Sequence, residues 1–573
     1  MKTGKKFTKW LPPLLLCLLA LALSACSELS GVIPLNPRAK AQAKQQVYTD
    51  PMLNISDLTT LDPALASDPS SIAAVQMVFT GLVQLDDNLQ VRPQLAQSWE
   101  KSSDGTTWTF HLKQHLKFSD GTPLTAKDVA YSLDRALQPA TKSTTAPIYL
   151  ALLRDSDKML AGTIQTLVND SILVPDDNTI VLITGKKAAY FLSMLTSTCS
   201  YVVEKSLVDK YSAGLSDHLT EGGGAGPFKV AGYTRGREID FVPNPNYYGP
   251  KPQLRKVVFP FYRQPAQAYQ AYQAGRVDVT GVPVSLLANS KKRQDFHQVP
   301  QLWINYYTMN YLAKPFDNTA IRQAFALALN KTAIVKSVWK GALQATNHII
   351  PQGMNGYNPA LTGPDGTQGL AGNASAARAL LAQGLKQEGW SSVAQIPPIK
   401  LTYATGLAAF DQEVAAMIQA WHQVLGVTVT ADPTDYSTLL DEVTAATNNA
   451  NGLQFWGLAW VAEYPDPQDW LSLQFGKDVP NNNMNYGQNY GLDAAKQQLI
   501  QQQIAGADAN MQPDARMQAY QQAEQTLVNN VAWLPMEQVA QIFLRKSYVL
   551  GMVDNAQSLV PPDDWANIYI GQH

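Results

Sequence analysis

One acidic residue stands among large aromatic side chains near the end of this 573-residue chain. In the segment WGLAWVAEYPDPQDW, residues 456–470, Glu463 lies between Trp460 and Tyr464. Large aromatic side chains are mostly buried for packing, and a carboxylate is rarely buried without a partner. The segment is therefore the first candidate for a binding site, and an aromatic core at a domain boundary is the other interpretation.

The outer residues of the same segment suit structural roles. Trp456 and Trp470 are predicted to belong to the core, because their size favours burial. Asp466 and Asp469 each follow a proline by one or two positions, where aspartate favours turns and helix caps.

Other residue patterns that could support chemistry are weak. His111 and His115 have the spacing of a helical metal pair, but they lie on a strand pattern, with neither an HExxH frame nor partner cysteines. The glycines of EGGGAGPFKV, residues 221–230, lack the Gly-Lys-Ser/Thr ending of a phosphate-binding loop. Cys199 is interpreted as a small buried apolar residue. We expect no metal, no cofactor and no enzymatic activity, although a dispersed Ser-His-Asp triad is not excluded by sequence.

The first 26 residues have the order of an export signal. Four lysines precede the apolar stretch WLPPLLLCLLALALSA, and the stretch ends at Cys26. The ending LSAC resembles the lipobox of bacterial lipoproteins, in which the cysteine becomes the lipidated first residue. We expect a signal peptide at 1–25, lipidation at Cys26 and a tether at 26–47, so that the protein faces the extracytoplasmic side of a membrane. An ordinary signal peptide or an uncleaved anchor is the alternative.

Length and charge limit the remaining classes. A single hydrophobic core stops growing at about 250–300 residues, so this length predicts at least two lobes. Removal of residues 1–25 takes four of the 44 basic side chains and none of the 46 acidic ones, which leaves an acidic mature chain. Nucleic acid is therefore not expected as a partner, because its phosphates need a basic surface.

Strand and helix patterns alternate along the chain, which predicts an α/β architecture. Residues 108–112 alternate apolar and polar side chains, as a half-buried strand does. Thr125 is placed to cap a helix at 127–137. One long helix is predicted after Pro315, with an apolar face made of Ile321, Phe325, Leu327 and Leu329.

Six motifs, in order, give the sequence a family resemblance. They are WTFHLKQHLKFSDGTPLTAKDVAYSL from Trp108, GAGPFKV from Gly224, QAGRVDV from Gln273, PFDNTAIRQAFALALNK from Pro315, WVAEYPDPQDWLSLQF from Trp460 and NIYIGQH from Asn567. Together they extend over most of the mature chain. The sequence resembles the extracellular solute-binding proteins of peptide and nickel ABC importers, family 5, and among them the oligopeptide-binding lipoproteins.

The resemblance implies a two-lobed Venus-flytrap fold of the class II periplasmic-binding-protein type, with an extra subdomain in the first lobe. It assigns 48–300 to the first lobe, about 86–215 to the extra subdomain, 301–529 to the second lobe and 530–573 to a return into the first lobe. It also implies a monomer that captures a peptide between the lobes and delivers it to an ABC permease.

The resemblance also implies the site. In the oligopeptide binders, an aspartate at the position of Glu463 pairs with the α-amino group of the peptide. Glu463 would take this role, with Trp460 and Tyr464 as walls of side-chain pockets and Tyr306 and Asn310 as further contacts. Glutamate keeps the charge but adds a methylene group, so the ligand can differ from a peptide.

The other end of the ligand is less specified by the sequence. Residues 454–473 contain no lysine or arginine, so a ligand carboxylate would need Arg322, Lys331 or water.

Two alternative functions stay open. One is the same fold with another solute, such as a sugar, a nickel chelate or haem. The other is an exported hydrolase, against which the sequence has no GxSxG elbow and no metal-ligand cluster.

Overall fold

The computed structural model describes Met1, residues 38–489 and residues 493–573. The rest of the predicted signal peptide, the lipidation site Cys26 and the first part of the tether lie outside these residues. Within the described part of the chain, no helix combines the length and apolar character needed to cross a membrane.

The strands are β1 (Val47–Thr49), β2 (Met52–Leu53), β3 (Val83–Leu85), β4 (Val91–Pro93), β5 (Ala96–Lys101), β6 (Thr107–Leu112), β7 (Ile172–Asp176), β8 (Thr179–Ile183), β9 (Phe228–Thr234), β10 (Glu238–Pro243), β11 (Lys256–Tyr262), β12 (Val279–Gly281), β13 (Phe296–Met309), β14 (Gln344–Ala345), β15 (Ile399–Ala404), β16 (Val429–Thr434), β17 (Phe455–Val461), β18 (Leu534–Arg545), β19 (Val549–Leu550) and β20 (Tyr569–Ile570).

The helices are α1 (Pro69–Val78), α2 (Ala126–Leu137), α3 (Ala146–Tyr149), α4 (Ser156–Leu160), α5 (Phe191–Met194), α6 (Lys205–Tyr211), α7 (Pro265–Gln273), α8 (Leu287–Ser290), α9 (Thr319–Leu327), α10 (Lys331–Trp339), α11 (Ala374–Glu388), α12 (Ala408–Leu425), α13 (Tyr436–Ala445), α14 (Pro467–Phe475), α15 (Ala494–Asp508) and α16 (Pro513–Asn529).

The first lobe is built on a sheet of strand order β1-β11-β10-β9, with β2 also paired to β11. Its core includes the buried rings of Phe228, Phe241 and Trp565, which pack with α1. Folded structure begins before the predicted start at Tyr48, because the buried Gln46 amide pairs with both backbone groups of Ile570. This contact with the last strand of the chain lies within the predicted tether at 26–47, whose bounds stay a prediction.

The extra subdomain is built on the antiparallel sheet β5-β6-β8-β7. Trp108, Phe110 and Leu112 of β6 are buried on one face, which confirms the predicted strand. The predicted cap of α2 is also confirmed, because the Thr125 backbone N–H donates to the Asp128 carboxylate at 2.8 Å. Cys199 is buried in the same core, as predicted.

The second lobe is built on a sheet of strand order β12-β18-β13-β17-β15-β16, with β14 also paired to β18. Separate apolar cores cover its two faces, with Tyr306 in one and Tyr307 in the other. The long strands β13 and β18 pair antiparallel from Phe296 opposite Leu544 to Tyr307 opposite Leu534. The predicted domain boundaries near residues 300 and 530 fall inside β13 and just before β18, and they stay predictions.

The single long helix predicted after Pro315 is wrong. The structure has two helices, α9 and α10, separated at Ala328–Asn330. The side chain of Asn330 accepts a hydrogen bond from the backbone N–H of Ala333 at 2.9 Å, so it begins a new helix with its own cap. The predicted apolar face is nevertheless buried in the second lobe.

Candidate ligand-binding cleft

A cavity of about 650 Å³ lies between the two lobes, and we call it the cleft. Its second-lobe wall comes from β13, the end of β17 and the middle of β18, and its first-lobe wall comes from α1 and the extra subdomain. Most lining side chains are apolar or uncharged. Among the described residues that line the cleft, Glu463 is the only one of an ordinarily charged type. The cleft therefore offers one negative charge within a largely apolar space.

Glu463 follows β17 by two residues and is half-buried. Its Oε2 accepts a hydrogen bond of 2.7 Å from the Tyr149 hydroxyl, which also lies 3.0 Å from the Glu463 carbonyl oxygen. Tyr149 is the only described residue that forms a side-chain hydrogen bond to this carboxylate. Burial, followed by the nearby Glu463 charge, raises the pKa of Tyr149, so its hydroxyl keeps its proton. The carboxylate can therefore accept further hydrogen bonds, for example from a ligand cation.

Asp469 holds the backbone beside this acid. One of its carboxylate oxygens accepts from the backbone N–H of Glu463 at 3.1 Å and from the indole N–H of Trp460 at 3.2 Å. The residue is fully buried, and this burial raises the pKa of its carboxyl well above the ordinary value. Asp469 was expected to act in a turn or helix cap, but it instead ties the end of β17 to α14.

A buried network supports the turn that follows Glu463. Asp466 caps α14, as predicted, by accepting from the Gln468 backbone N–H at 3.0 Å. The Arg516 guanidinium binds the same carboxylate through two hydrogen bonds of 2.8 and 2.5 Å and lies over the Tyr520 ring. Tyr520 in turn donates to Asp508, whose pKa is raised to about 6 by burial. Side chains of α15 and α16 therefore stabilise this turn.

Of the five residues predicted to bind ligand, Glu463 alone lines the cleft. Trp460 is half-buried, and its indole N–H is occupied by Asp469. Tyr464 is buried and stacks on Tyr190 with a ring separation of 6.2 Å.

The two predicted contacts on β13 and its end are also buried. Tyr306 stacks on Trp533 with a ring separation of 3.6 Å. The Asn310 amide donates to the backbone carbonyls of Asn449 and Leu453, at 2.9 and 3.1 Å. The ligand contacts assigned to Trp460, Tyr464, Tyr306 and Asn310 stay predictions. By contrast, Trp456 and Trp470 are fully buried, which confirms their assignment to the core.

The two basic residues considered for a ligand carboxylate do not line the cleft. Arg322 is fully buried, and its guanidinium donates to the carbonyls of Asn530 and Phe316 at 3.0 and 2.6 Å. Lys331 donates to the Pro535 carbonyl at 2.5 Å, and burial lowers its pKa to about 7. Both side chains are therefore used inside the second lobe.

Two further residues line the cleft that the sequence analysis did not identify. Trp303 is 39% exposed and lies directly opposite Val461, which is 50% exposed, across the pair β13 and β17. Tyr149 belongs to the short helix α3 and reaches Glu463 over 314 residues of sequence. The alternation along β13 could have indicated that Trp303 is on the face opposite Ile304, but no local pattern pointed to Tyr149.

The family model for the bacterial extracellular solute-binding proteins, family 5 middle region, matches residues 90–482. The chain belongs to this family. Family 5 proteins are extracytoplasmic binding proteins and not enzymes, and their two-lobed α/β fold is the one described above. The expected family, fold class and non-enzymatic nature are thereby confirmed.

Individual relatives cover nearly the whole chain. The oligopeptide-binding protein OppA of Bacillus subtilis strain 168 is 27% identical over 495 residues, which are 83% of this chain and 86% of that protein. The unliganded open form of MppA, a periplasmic murein tripeptide-binding protein, has a TM-score of 0.79 at 23% identity and covers 94% of this chain and 99% of its own. Haemophilus influenzae OppA in complex with RPPGFSPFR has a TM-score of 0.61 at 22% identity, with coverage of 92% and 99%.

Proposed function

We propose that this family 5 protein is a membrane-tethered receptor that captures peptides by their free α-amino group and delivers them to an ABC import permease. The observation that carries this proposal is the half-buried carboxylate of Glu463, the one charged group among the described residues that line the cleft. A cation removed from water needs a paired and hydrogen-bonded partner, and a carboxylate held by the Tyr149 hydroxyl supplies one.

The rest of the cleft suits ligands of varied sequence. Apolar side chains of a peptide can pack on the exposed faces of Trp303 and Val461, and closing of the lobes would remove these faces from water. An extended peptide also supplies backbone groups for hydrogen bonds that do not depend on its sequence. A ligand drives closure only to the extent that it binds the closed cleft more tightly than the open one.

The tether and the permease belong to the same proposal. The lipobox-like ending at Cys26 supports a lipid anchor, and the oligopeptide-binding name of the B. subtilis relative supports a peptide cargo. A receptor that is held at the membrane by its lipid stays close to a membrane permease. We propose that the protein acts as a monomer.

The test compares peptides with free and N-acetylated amino ends on the mature chain, residues 27–573. Glu463→Gln should weaken binding of free-amino peptides by about 1–3 kcal/mol, the scale of a hydrogen bond to a charged group, as measured by calorimetry. Binding of N-acetylated peptides should be weak in the wild type and change little in the variant. Glu442→Gln, at an exposed glutamate of α13, is the matched control and should have no effect. Equal losses for both peptide classes would contradict the role of Glu463.

The largely apolar lining of the cleft favours one other candidate, an apolar ligand with a cationic group. Thermal unfolding measured in the presence of peptides, haem, sugars or nickel chelates distinguishes the two candidates. A ligand that binds the folded state raises the melting temperature, and the rise grows with the ligand concentration. A shift with one of the other solutes, and none with peptides, would overturn the peptide assignment.

A further inference from the structure

A second cavity, of about 420 Å³, lies between the extra subdomain and the second lobe, and we call it the interface cavity. Helices α3 and α5 contribute to one wall, and α14 and α15 contribute to the other. Among the described residues, it shares no lining residue with the cleft. Its volume is within the range of about 300–1,000 Å³ that is usual for small-molecule sites, and such sites occur preferentially between domains.

Most of the interface cavity has an apolar lining. The rings of Tyr190 and Tyr464, which stack with a separation of 6.2 Å, belong to this lining. The aliphatic and thioether side chains of the walls are Ile148, Leu152, Met194, Leu473, Val479 and Ile504. A compact apolar group placed between these walls would be removed from water on several sides, which favours binding.

Asp508 adds a carboxylate to this apolar lining. Its Oδ1 accepts from the hydroxyls of Ser472 and Tyr520, at 2.5 and 2.6 Å. Its Oδ2 has no hydrogen-bond partner among the described residues. Burial raises the pKa of the carboxyl to about 6, so the group is mostly ionised at neutral pH. The open oxygen is therefore an acceptor for an ammonium group.

Gln468 provides an unused donor close to this acceptor. The residue is 5% exposed, and its Oε1 accepts from the Tyr464 hydroxyl. Within the described chain its Nε2 has no partner, although a buried donor usually has one. Ser472, which binds Asp508, is four residues further along α14, so the two side chains are on the same face with Cβ atoms about 5–6 Å apart. One small polar head group can therefore reach both the amide donor and the carboxylate acceptor.

Two exposed lysines add positive charge to the same lining. Lys186 forms no ion pair with a described residue, and Lys477 is 4.0 Å from its neighbour Asp478. Together with the Gln468 amide, the lysines favour an anionic group, whereas Asp508 favours a cationic one. The interface cavity therefore suits a small molecule that carries both charges and an apolar body.

We propose that the interface cavity binds a free apolar amino acid. The ammonium group binds Asp508, the carboxylate binds Gln468 and the lysines, and the side chain packs between the apolar walls. This second ligand site does not depend on the peptide-binding function proposed for the cleft.

The test titrates L-leucine into the mature chain by calorimetry, in a Glu463→Gln background that removes the acid of the cleft. L-Leucine should bind this variant. Two analogues, 3-methylbutylamine without the carboxylate and 4-methylpentanoate without the ammonium group, should each bind at least about tenfold more weakly, the scale of a lost hydrogen bond between charged groups. The further change Asp508→Asn should weaken L-leucine by a similar factor and should not weaken 4-methylpentanoate.

A second pair of variants tests the place of binding without a change in the buried network. Ala505→Trp adds an indole at an exposed lining residue of α15 and should abolish binding of L-leucine. Gln502→Trp, at an exposed residue of the same helix outside the lining, is the matched control and should leave binding unchanged. This pair decides the question if Asp508→Asn does not fold.

Three results would overturn the inference. They are no binding of L-leucine to Glu463→Gln, equal binding by Ala505→Trp and Gln502→Trp, and equal affinity for L-leucine and either analogue. Binding to the wild type that Glu463→Gln abolishes would also overturn it, because leucine would then bind in the cleft. The proposed function is tested separately by the free and N-acetylated peptides, so either proposal can fail while the other holds.

Discussion

The hydroxyl of Tyr149 donates a hydrogen bond of 2.7 Å to the carboxylate of Glu463. Tyr149 belongs to the extra subdomain, whereas Glu463 follows a strand of the second lobe. The acid that lines the cleft is therefore oriented by a residue from the opposite wall. If Glu463 binds a ligand cation, as proposed, the affinity depends on how the two walls are held together.

Removal of that hydroxyl should weaken ligand binding. Tyr149→Phe is expected to reduce the affinity for free-amino peptides by about 1–2 kcal/mol, because the carboxylate loses the donor that orients it. N-acetylated peptides should be unaffected in the same calorimetric titration. Tyr190→Phe is the control, since this ring stacks on Tyr464 and its hydroxyl has no hydrogen bond to the acid. Equal effects of the two variants would argue against an orienting role for Tyr149.

The exposed indole of Trp303 should contribute to binding more than to folding. Trp303→Ala is expected to lower the affinity for peptides with and without a free amino group, because both lose the apolar area that closure buries. The free energy of unfolding in urea should change by about 1 kcal/mol or less, because the side chain is 39% exposed and makes one hydrogen bond, to Asn305. Tyr436→Ala, at a 61% exposed residue that does not line the cleft, should change neither quantity. A large loss of stability in Trp303→Ala would show that the indole is structural.

The buried pair Arg516 and Asp466 should be essential for the turn beside the site. Arg516→Met leaves the Asp466 carboxylate buried without its partner and is expected to cost about 3–5 kcal/mol of stability in urea unfolding. The double variant Arg516→Met with Asp466→Asn should recover much of this loss, because it removes the uncompensated charge. Lys127→Met removes one partner of an exposed ion pair with Asp177 and should leave stability nearly unchanged. A small effect of Arg516→Met alone would contradict the role given to this network.

Two buried glutamates of the second lobe should make stability depend on pH. Glu537 accepts from the Asn305 amide, and Glu413 accepts from Tyr307 and Trp339. Burial raises the pKa of both carboxyls, and their mutual contact adds to the effect at Glu537. An unfolded glutamate releases its proton near pH 4.3, so the unfolded chain loses these protons first as the pH rises. The free energy of unfolding should therefore fall from about pH 4.5 upward until the folded-state pKa values are passed.

Glu537→Gln should reduce this decline, because one of the two titrations is removed while the contact with Asn305 can persist. Urea unfolding at pH 4.5, 6 and 7 measures the slope in both proteins. The neighbouring Lys331, with its pKa lowered to about 7, changes its charge mainly above this range. Parallel slopes for the wild type and the variant would contradict the prediction.

Local features of the fold could be predicted from the sequence because they depend on residues a few positions apart. The half-buried strand β6, the Thr125 cap and the Asp466 cap are of this kind. The predicted single helix after Pro315 failed for a local reason too, since the capping ability of Asn330 was not weighed against the apolar spacing. Gln46 pairs with Ile570 just before the predicted start of the first lobe at residue 48, and no local pattern indicates this contact.

The sequence by itself determined the family, the two-lobed fold and the acid of the cleft, because ordered motifs and one carboxylate among aromatic residues are properties of the chain. Only the tertiary structure decided which side chains surround that acid. Tyr306 and Asn310 are buried, whereas Tyr149 and Trp303 line the cleft. Aromatic and amide side chains serve a core and a binding site equally well. Their role depends on which face of a strand they occupy and on which distant segment packs against it.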